Sequence, residues 1–254
     1  MSITTTPLFE FQHVTQRFKL PQGDLTVLDD VTFSAQEGEF IAIVGPSGAG
    51  KSTLLRLING LLPPSSGTVL YKGKPQHAIN LETAMVFQNF ALLPWLTVFQ
   101  NIELGLETRM SDPNARRKRV EYYIGKVGLD GHEEAYPREL SGGMKQRVGL
   151  ARALAVEPEV ILMDEPFSSL DVLTSINLRD ELLDIWSDRD NLLNTVVMVT
   201  HMIEEALELA DRILILSRKP GIIAADLKVD LPRPRDKRDP AFIEMVDKVF
   251  SLIA

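Results

Sequence analysis

The stretch Gly45-Pro46-Ser47-Gly48-Ala49-Gly50-Lys51-Ser52-Thr53 reads glycine, any four residues, glycine, lysine, serine. It follows an apolar run from Phe40 to Val44 and precedes a helical-looking segment, Leu54 to Leu61, the strand-to-helix setting in which such a pattern binds phosphate. Glycines let the backbone curl closely around an anion, so that successive N–H groups point inward at phosphate oxygens. A helix opening near Gly50 adds its positive dipole end. Lys51 would reach the β- and γ-phosphates, and the Ser52 hydroxyl would complete the shell of a magnesium ion. The plainer reading is a glycine-rich turn, which the flanking elements make the weaker of the two.

A second group of residues would act on such a phosphate. Asp164 and Glu165 end the apolar run Val160 to Met163, where a buried parallel strand presents carboxylates at the sheet's C-terminal edge. Asp164 would hold magnesium through its water shell, and Glu165 would polarise the water that attacks the γ-phosphate. Gln88 ends another strand, and its amide oxygen could complete the magnesium shell or sense the γ-phosphate; alone, it would be a loop glutamine. His201 also ends a strand and could hydrogen-bond the γ-phosphate, whereas His13, His77 and His132 lack such a setting. Phe18 is the last large aromatic before a polar loop ending in Pro21 and Gly23. It could stack on a nucleobase or be an ordinary core phenylalanine, and its position leaves both open.

Ser141-Gly142-Gly143 stands out by its cost. Serine is a good N-cap, but each glycine inside a first helical turn loses roughly 1 kcal/mol relative to alanine. Close backbone approach to something would explain them, and bare amides at a helix start would suit a second phosphate. With one phosphate loop per chain, that second site implies a partner: a head-to-tail pair in a closed two-fold dimer would set Ser141 of one copy against the γ-phosphate held by the other.

The elements that must position these residues read as an α/β chain. Expected strands are Phe9 to Val14, Val27 to Phe33, Glu39 to Val44, Thr68 to Tyr71, Ala84 to Phe87, Val160 to Met163 and Thr195 to Thr200. Arg212 to Leu216 and Ile222 to Val229 form a hairpin around Lys219-Pro220-Gly221, where Pro then Gly suits the centre of a type II turn. Helices are expected over Lys51 to Asn59, Val98 to Leu106, Asn114 to Val127, Gly142 to Ala155, Val172 to Trp186, Met202 to Leu209 and Ala241 to Leu252. The block from Asn89 to about Val156 is helical throughout and interrupts the strand–helix alternation, so it reads as a helical lobe inserted into an α/β lobe.

Composition narrows the function classes. The chain has 254 residues, 44% hydrophobic, and no cysteine, which excludes disulfides, thiolate metal sites and cysteine nucleophiles. Met1 to Pro7 has neither a basic start nor a long apolar stretch, so no secretory signal is expected. The longest apolar runs fall far short of the roughly twenty residues that span a bilayer. A net charge of -8 argues against a nucleic-acid coat. Two basic clusters, Arg116 to Arg119 and Arg233 to Arg238, read as solvated surface or as contacts to lipid headgroups or a membrane partner.

In that order along the chain, Gly45 to Thr53, Gln88, Leu140 to Gln146, Val160 to Pro166, Ser168 to Asp171 and His201 resemble the nucleotide-binding subunit of ATP-binding cassette (ABC) transporters. The resemblance implies the P-loop ABC ATPase fold: a RecA-like core with an antiparallel β subdomain (about 1–88 and 157–230), an inserted helical subdomain (about 89–156) and a C-terminal linker and helix (about 231–254). It implies a sandwich dimer with two ATP molecules and Mg2+ at the interface. In this picture Pro46, Ser47, Gly48 and Ala49 line the phosphates with Gly45, Gly50, Lys51, Ser52 and Thr53. Phe18 stacks on adenine, Ser141, Gly142, Gly143 and Gln146 reach the partner's nucleotide, and Asp171 lies in a loop communicating between the two sites. Met144 replaces the glutamine often found after the two glycines.

A finer resemblance, carried by Val86-Phe87-Gln88-Asn89, Leu92 to Val98, Arg218 to Gly221 and Leu231-Pro232-Arg233-Pro234-Arg235, is to the nitrate, sulfonate and taurine importer branch. It implies membrane permease subunits, an extracytoplasmic substrate-binding protein, a place on the cytoplasmic face of the membrane and a small anionic solute. The segment after Gln88 would then receive the membrane partner, with Trp95 either near that surface or packed locally. A soluble ABC ATPase acting on DNA or ribosomes would usually carry long coiled-coil insertions or two cassettes. A metabolite kinase would leave Ser141 to Gly143 unexplained.

Overall fold

The computed structural model describes residues 6–188 and 193–253. Most of the stretch on which the expected lack of a secretory signal rests lies outside them. The chain divides into two compact units, residues 1–80 with 195–254, and residues 81–194. The expected helical lobe, 89–156, falls within the second. Among the described residues no helix is long and apolar enough to cross a membrane.

In the first unit, β1 (Phe9–Leu20) and β2 (Gly23–Ala35) form a long antiparallel hairpin, to which β4 (Ser66–Tyr71) and β5 (Lys74–Pro75) add in the order β2-β1-β4-β5. Alternation drives it. Phe9 and Phe11 point to one face, where Phe33 stacks on Phe11 at 4.7 Å and meets Phe9 edge-on at 5.9 Å, a favoured aromatic geometry. The strands run further than expected, because the polar residues beyond Val14 keep pairing after a bulge, down to Leu20 opposite Gly23. Phe18 consequently lies in a strand opposite Leu25.

The unit's second layer is a largely parallel set in the order β10-β9-β3-β8: β3 (Phe40–Val44), β8 (Thr195–Thr200), β9 (Arg212–Leu216) and β10 (Ile223–Lys228). Every residue of β3 and β8 is buried, as expected for strands covered on both faces. Helix α1 (Lys51–Asn59) buries Leu54, Leu55, Leu57 and Ile58. It stops at Gly60, whose left-handed conformation returns its N–H to the Leu57 carbonyl, the usual glycine end to a helix. Helices α6 (Ile203–Leu209) and α7 (Pro240–Ile253) complete the unit.

One turn differs from expectation. The Lys219–Pro220 peptide is cis, and Gly221 lacks the positive φ that a type II turn needs at its third position. Gly221 instead donates its N–H to Val27 O at 2.9 Å and accepts from Asp29 N at 3.0 Å. Its neighbours close the loop through Ser217 N to Ile222 O at 3.0 Å. Tertiary pairing to β2 overrides the local turn preference.

In the second unit β6 (Thr83–Val86) runs parallel to β7 (Val160–Asp164), with α2 (Val98–Glu103), α3 (Pro113–Lys126), α4 (Gly142–Ala155) and α5 (Val172–Ser187) around them. Helix α3 starts as its sequence indicates, with Asp112 accepting from Asn114 N at 3.0 Å and Pro113 in the first turn. Helix α2 begins with a capping box between Thr97 and Gln100. It is shorter than the expected span to Leu106.

The two basic clusters part company. Arg117 pairs with Glu121 at 2.8 Å one turn along α3, Arg116 with Glu103 at 3.2 Å and Arg119 with Glu157 at 3.1 Å, so the first cluster is an internally compensated face. In the second, Arg233 and Arg235 turn inward onto backbone carbonyls. A sequence run of like charge does not show which cations face solvent.

Candidate functional site

The phosphate loop leaves the end of β3. Gly48 (φ 76°) and Gly50 (φ 99°) adopt left-handed conformations, which glycine takes at little cost. Lys51 is buried, and its Nζ donates to Gly45 O at 2.9 Å and Pro46 O at 3.2 Å. These carbonyl partners hold the Lys51 Nζ at the loop's own entrance, beside the curled backbone. This is an arrangement that an anion would complete.

Close packing explains two further glycines. A Cβ on Gly45 would stand 2.6 Å from Leu216 O, and one on Gly221 would stand 2.1 Å from Ala49 O. The β9–β10 loop therefore buttresses the phosphate loop from behind. Its Lys219 brings Cε to 3.3 Å from where a Gly48 Cβ would be, placing a second cation against the loop. From the sequence, Arg218 to Gly221 read only as a turn and a mark of the importer branch.

Register fixes His201. Val44 pairs with Thr200 in the parallel β3–β8 ladder, so Gly45 and His201 leave the sheet at the same edge. His201 is exposed and sits one residue ahead of the Met202 N-cap of α6, where Met202 N donates to Thr200 Oγ1 at 3.1 Å. Phe18, half-buried, lies on the other sheet of this unit.

The second unit gathers the acidic residues in the same way. Val86 pairs with Met163, so Gln88 and the Asp164-Glu165 pair emerge together. Gln88 Nε2 donates to Glu165 Oε2 at 3.3 Å. Asp164 is buried at 9% exposure, while Glu165 is half-buried and holds a left-handed φ of 46°. Such strain in a non-glycine residue persists where the surroundings enforce it, and it concentrates at functional positions.

Ser141 caps α4, accepting from Met144 N at 3.2 Å, and both Ser141 and Gly142 are exposed. The two glycines separate here. A Cβ on Gly143 would come within 2.4 Å of Thr174 Cγ2, so this glycine answers to α5 of its own chain. One on Gly142 would only touch Leu170 Cδ2 at 3.7 Å. Gly142 is therefore the residue whose bareness the single chain does not require. Gln146 is 2% exposed, which takes its side chain off the surface that Ser141 and Gly142 present, because it falls on the buried side of α4.

Asp171 caps α5, accepting from Thr174 N at 3.0 Å and from Thr174 Oγ1 at 2.7 Å. These bonds hold its carboxyl below the usual aspartate range. Beside it Val172 and Leu173 are 75% and 74% exposed, an apolar surface next to Leu170 and Gly142.

The segment after Gln88 is pinned by residues that sequence reading missed. Arg152 on α4 donates to Phe90 O and Ala91 O, each at 2.8 Å, and both of those residues have positive φ. Burial lowers the Arg152 pKa. Asn101, wholly buried, donates to Leu93, Leu96 and Thr97 carbonyls and accepts from Leu93 N at 2.8 Å. Trp95 is left 68% exposed in a cleft of about 490 Å3 with Pro94, Tyr136 and Arg138. It is not a packing residue of this chain.

Comparison with known proteins agrees with this geometry. The ABC transporter family profile matches residues 28–168. NrtD, the nitrate import ATP-binding protein of Synechocystis sp., is 43% identical over 91% of this chain and 90% of its own. CmpD, the bicarbonate transport ATP-binding protein of Synechococcus elongatus, is 42% identical over 94% and 87%. Among solved structures, the dimeric post-hydrolysis state of the ATP-binding cassette MJ0796 bound to ADP and Pi superposes with a TM-score of 0.78 at 32% identity, covering 88% of this chain and all of that one. With the family profile over more than half of its length and relatives above 40% identity along nearly all of it, the chain belongs to the ABC transporter family, whose cassettes hydrolyse ATP.

Proposed function

We propose that this chain is the ATP-hydrolysing subunit of an importer for a small anionic solute of the nitrate or bicarbonate kind. It would work as one of a pair of cassettes on the cytoplasmic face of the membrane, with permease subunits and an extracytoplasmic binding protein. The observation that carries the reading is the match to NrtD and CmpD over 90% and 87% of their lengths. The pairing follows the dimeric cassette to which the fold is similar.

In this reading the loop amides of Gly45 to Gly50 and Lys51 bind the nucleotide's phosphates, and Phe18 supplies an aromatic face for the base. Ser52, Gln88 and Asp164 would hold Mg2+, which neutralises the charge that builds up on the transferred phosphoryl group. Glu165 accepts the proton of the attacking water and is oriented by Gln88. His201 donates a hydrogen bond from its imidazole N–H to the γ-phosphate. Ser141 and Gly142 of the partner copy present bare helix-start amides to the same phosphate. ATP then favours the closed pair because it bonds to both copies only there, and hydrolysis removes that preference. Asp171, with Val172 and Leu173, lies on the surface that such closure would cover.

The test is uptake of labelled nitrate, bicarbonate, taurine and aliphatic sulfonates in cells lacking this protein, complemented with wild type or Glu165→Gln. Restoration of one solute's uptake by wild type alone supports the proposal. Unchanged uptake of all four in the deletion strain contradicts the importer branch.

A further inference from the structure

Helix α6 begins two residues after His201 and has only seven residues. A two-turn helix is marginal by itself, and its last carbonyls have no partners within the helix. No glycine ends it, since its C-cap is Ala210 in an extended conformation.

The linker before α7 meets this need. Leu231, Arg233, Arg235 and Lys237 are half-buried, while Pro232, Pro234, Asp236 and Arg238 between them are exposed. The alternation turns every second side chain inward along a linker that bends at Arg233 and Pro234 and turns at Lys237 and Arg238. Its inward cations all reach α6. Arg235 Nη1 donates to Leu207 O and Ala210 O, and its Nε to Leu231 O at 3.0 Å. Arg233 donates to Leu209 O and pairs with Asp211 at 2.7 Å. Lys237 meets Glu208 at 3.2 Å and Glu204 at 3.6 Å. Three cations along one strap thus engage both the carbonyl end and the acidic side of the helix. That complements its dipole, and a planar guanidinium suits two carbonyls at once.

We infer that Arg235, with Arg233 and Lys237, positions His201 for ATP hydrolysis by clamping α6. The inference rests on the role proposed above for His201. Freed of the strap, α6 would fray from its carbonyl end, and His201 would lose the fixed backbone that follows it. The phosphate loop, anchored to β2 and β9 instead, would keep its shape, so nucleotide affinity would be spared while turnover fell.

The experiment is steady-state ATP hydrolysis by the purified full chain as wild type, Arg235→Ala, His201→Ala and the double variant, with thermal melts of all four. Arg235→Ala is expected to lower kcat about tenfold with KM for ATP unchanged, and to cost no further activity in the His201→Ala background. A Tm drop of equal size in both backgrounds would be the purely structural part. An equal fold-loss of kcat in the two backgrounds, or an unchanged kcat, overturns the inference. Normal turnover by His201→Ala alone is a separate outcome, in which the role of His201 fails. Should Arg235→Ala not fold, Lys237→Glu, which sets a negative charge against Glu204 and Glu208, is expected to lower kcat about threefold and again only when His201 is present. Its failure to do so overturns the inference equally.

Discussion

Replacing Gly221 by alanine tests how the phosphate loop is held. The new Cβ would stand 2.1 Å from Ala49 O, whereas an ordinary carbon–oxygen contact is about 3.3 Å. Something must therefore move by about 1 Å. Gly221 cannot easily do so, because its N–H bonds to Val27 O at 2.9 Å and its carbonyl accepts from Asp29 N at 3.0 Å. The loop at Ala49 must give way, and with it the amides that surround the anion. Overpacking of this kind costs about 1–3 kcal/mol, which corresponds to about a 5- to 150-fold loss of ATP affinity if it falls on binding. Titration of a fluorescent ATP analogue into the purified chain measures it, with Gly149→Ala as control, since that Cβ meets only Phe90 O at 3.6 Å. An affinity for Gly221→Ala within about twofold of wild type would refute the buttress.

Three other changes follow from the same geometry. Gly143→Ala should destabilise the second unit by about 1–3 kcal/mol through its clash with the Thr174 methyl, and Thr174→Ser, which removes that methyl and keeps the hydroxyl, should restore the melting temperature. Asn101→Leu should cost about 3 kcal/mol by orphaning the carbonyls and amide of the 93–97 segment, seen as an earlier denaturant midpoint. Glu165→Gln should retain ATP binding while hydrolysis falls by about two to four orders of magnitude, measured as single-turnover phosphate release.

Much of this was legible along the chain because glycine, proline and capping residues mark ends locally. Helices α1 and α4 and strand β8 begin and end where Lys51, Gly60, Ser141 and Thr195 indicate. Lys51, Gln88, Ser141, Asp164, Glu165 and His201 could be named for the same reason, as each stands at or just beyond a strand or helix end. What escaped was decided by contacts distant in sequence. Gly221 reads as a turn glycine but answers to Ala49 and β2, and Gly143 reads as a ligand-facing glycine but answers to Thr174. Arg233 and Arg235 read as a charged surface run, and only the alternating burial of the linker shows them turned onto α6. Gln146 follows Ser141 closely in sequence, yet helical rotation carries it to the buried side.

The central claim, that two copies share each ATP, is tested most directly by the mass of the hydrolysis-slowed chain in solution. Glu165→Gln should be monomeric without nucleotide and dimeric with ATP by sedimentation. Glu165→Gln/Ser141→Arg should bind ATP with the same affinity and stay monomeric, because the bulky cation would occupy the exposed helix start. An ATP-dependent dimer that survives Ser141→Arg, or no dimer from Glu165→Gln at saturating ATP, would contradict the shared site.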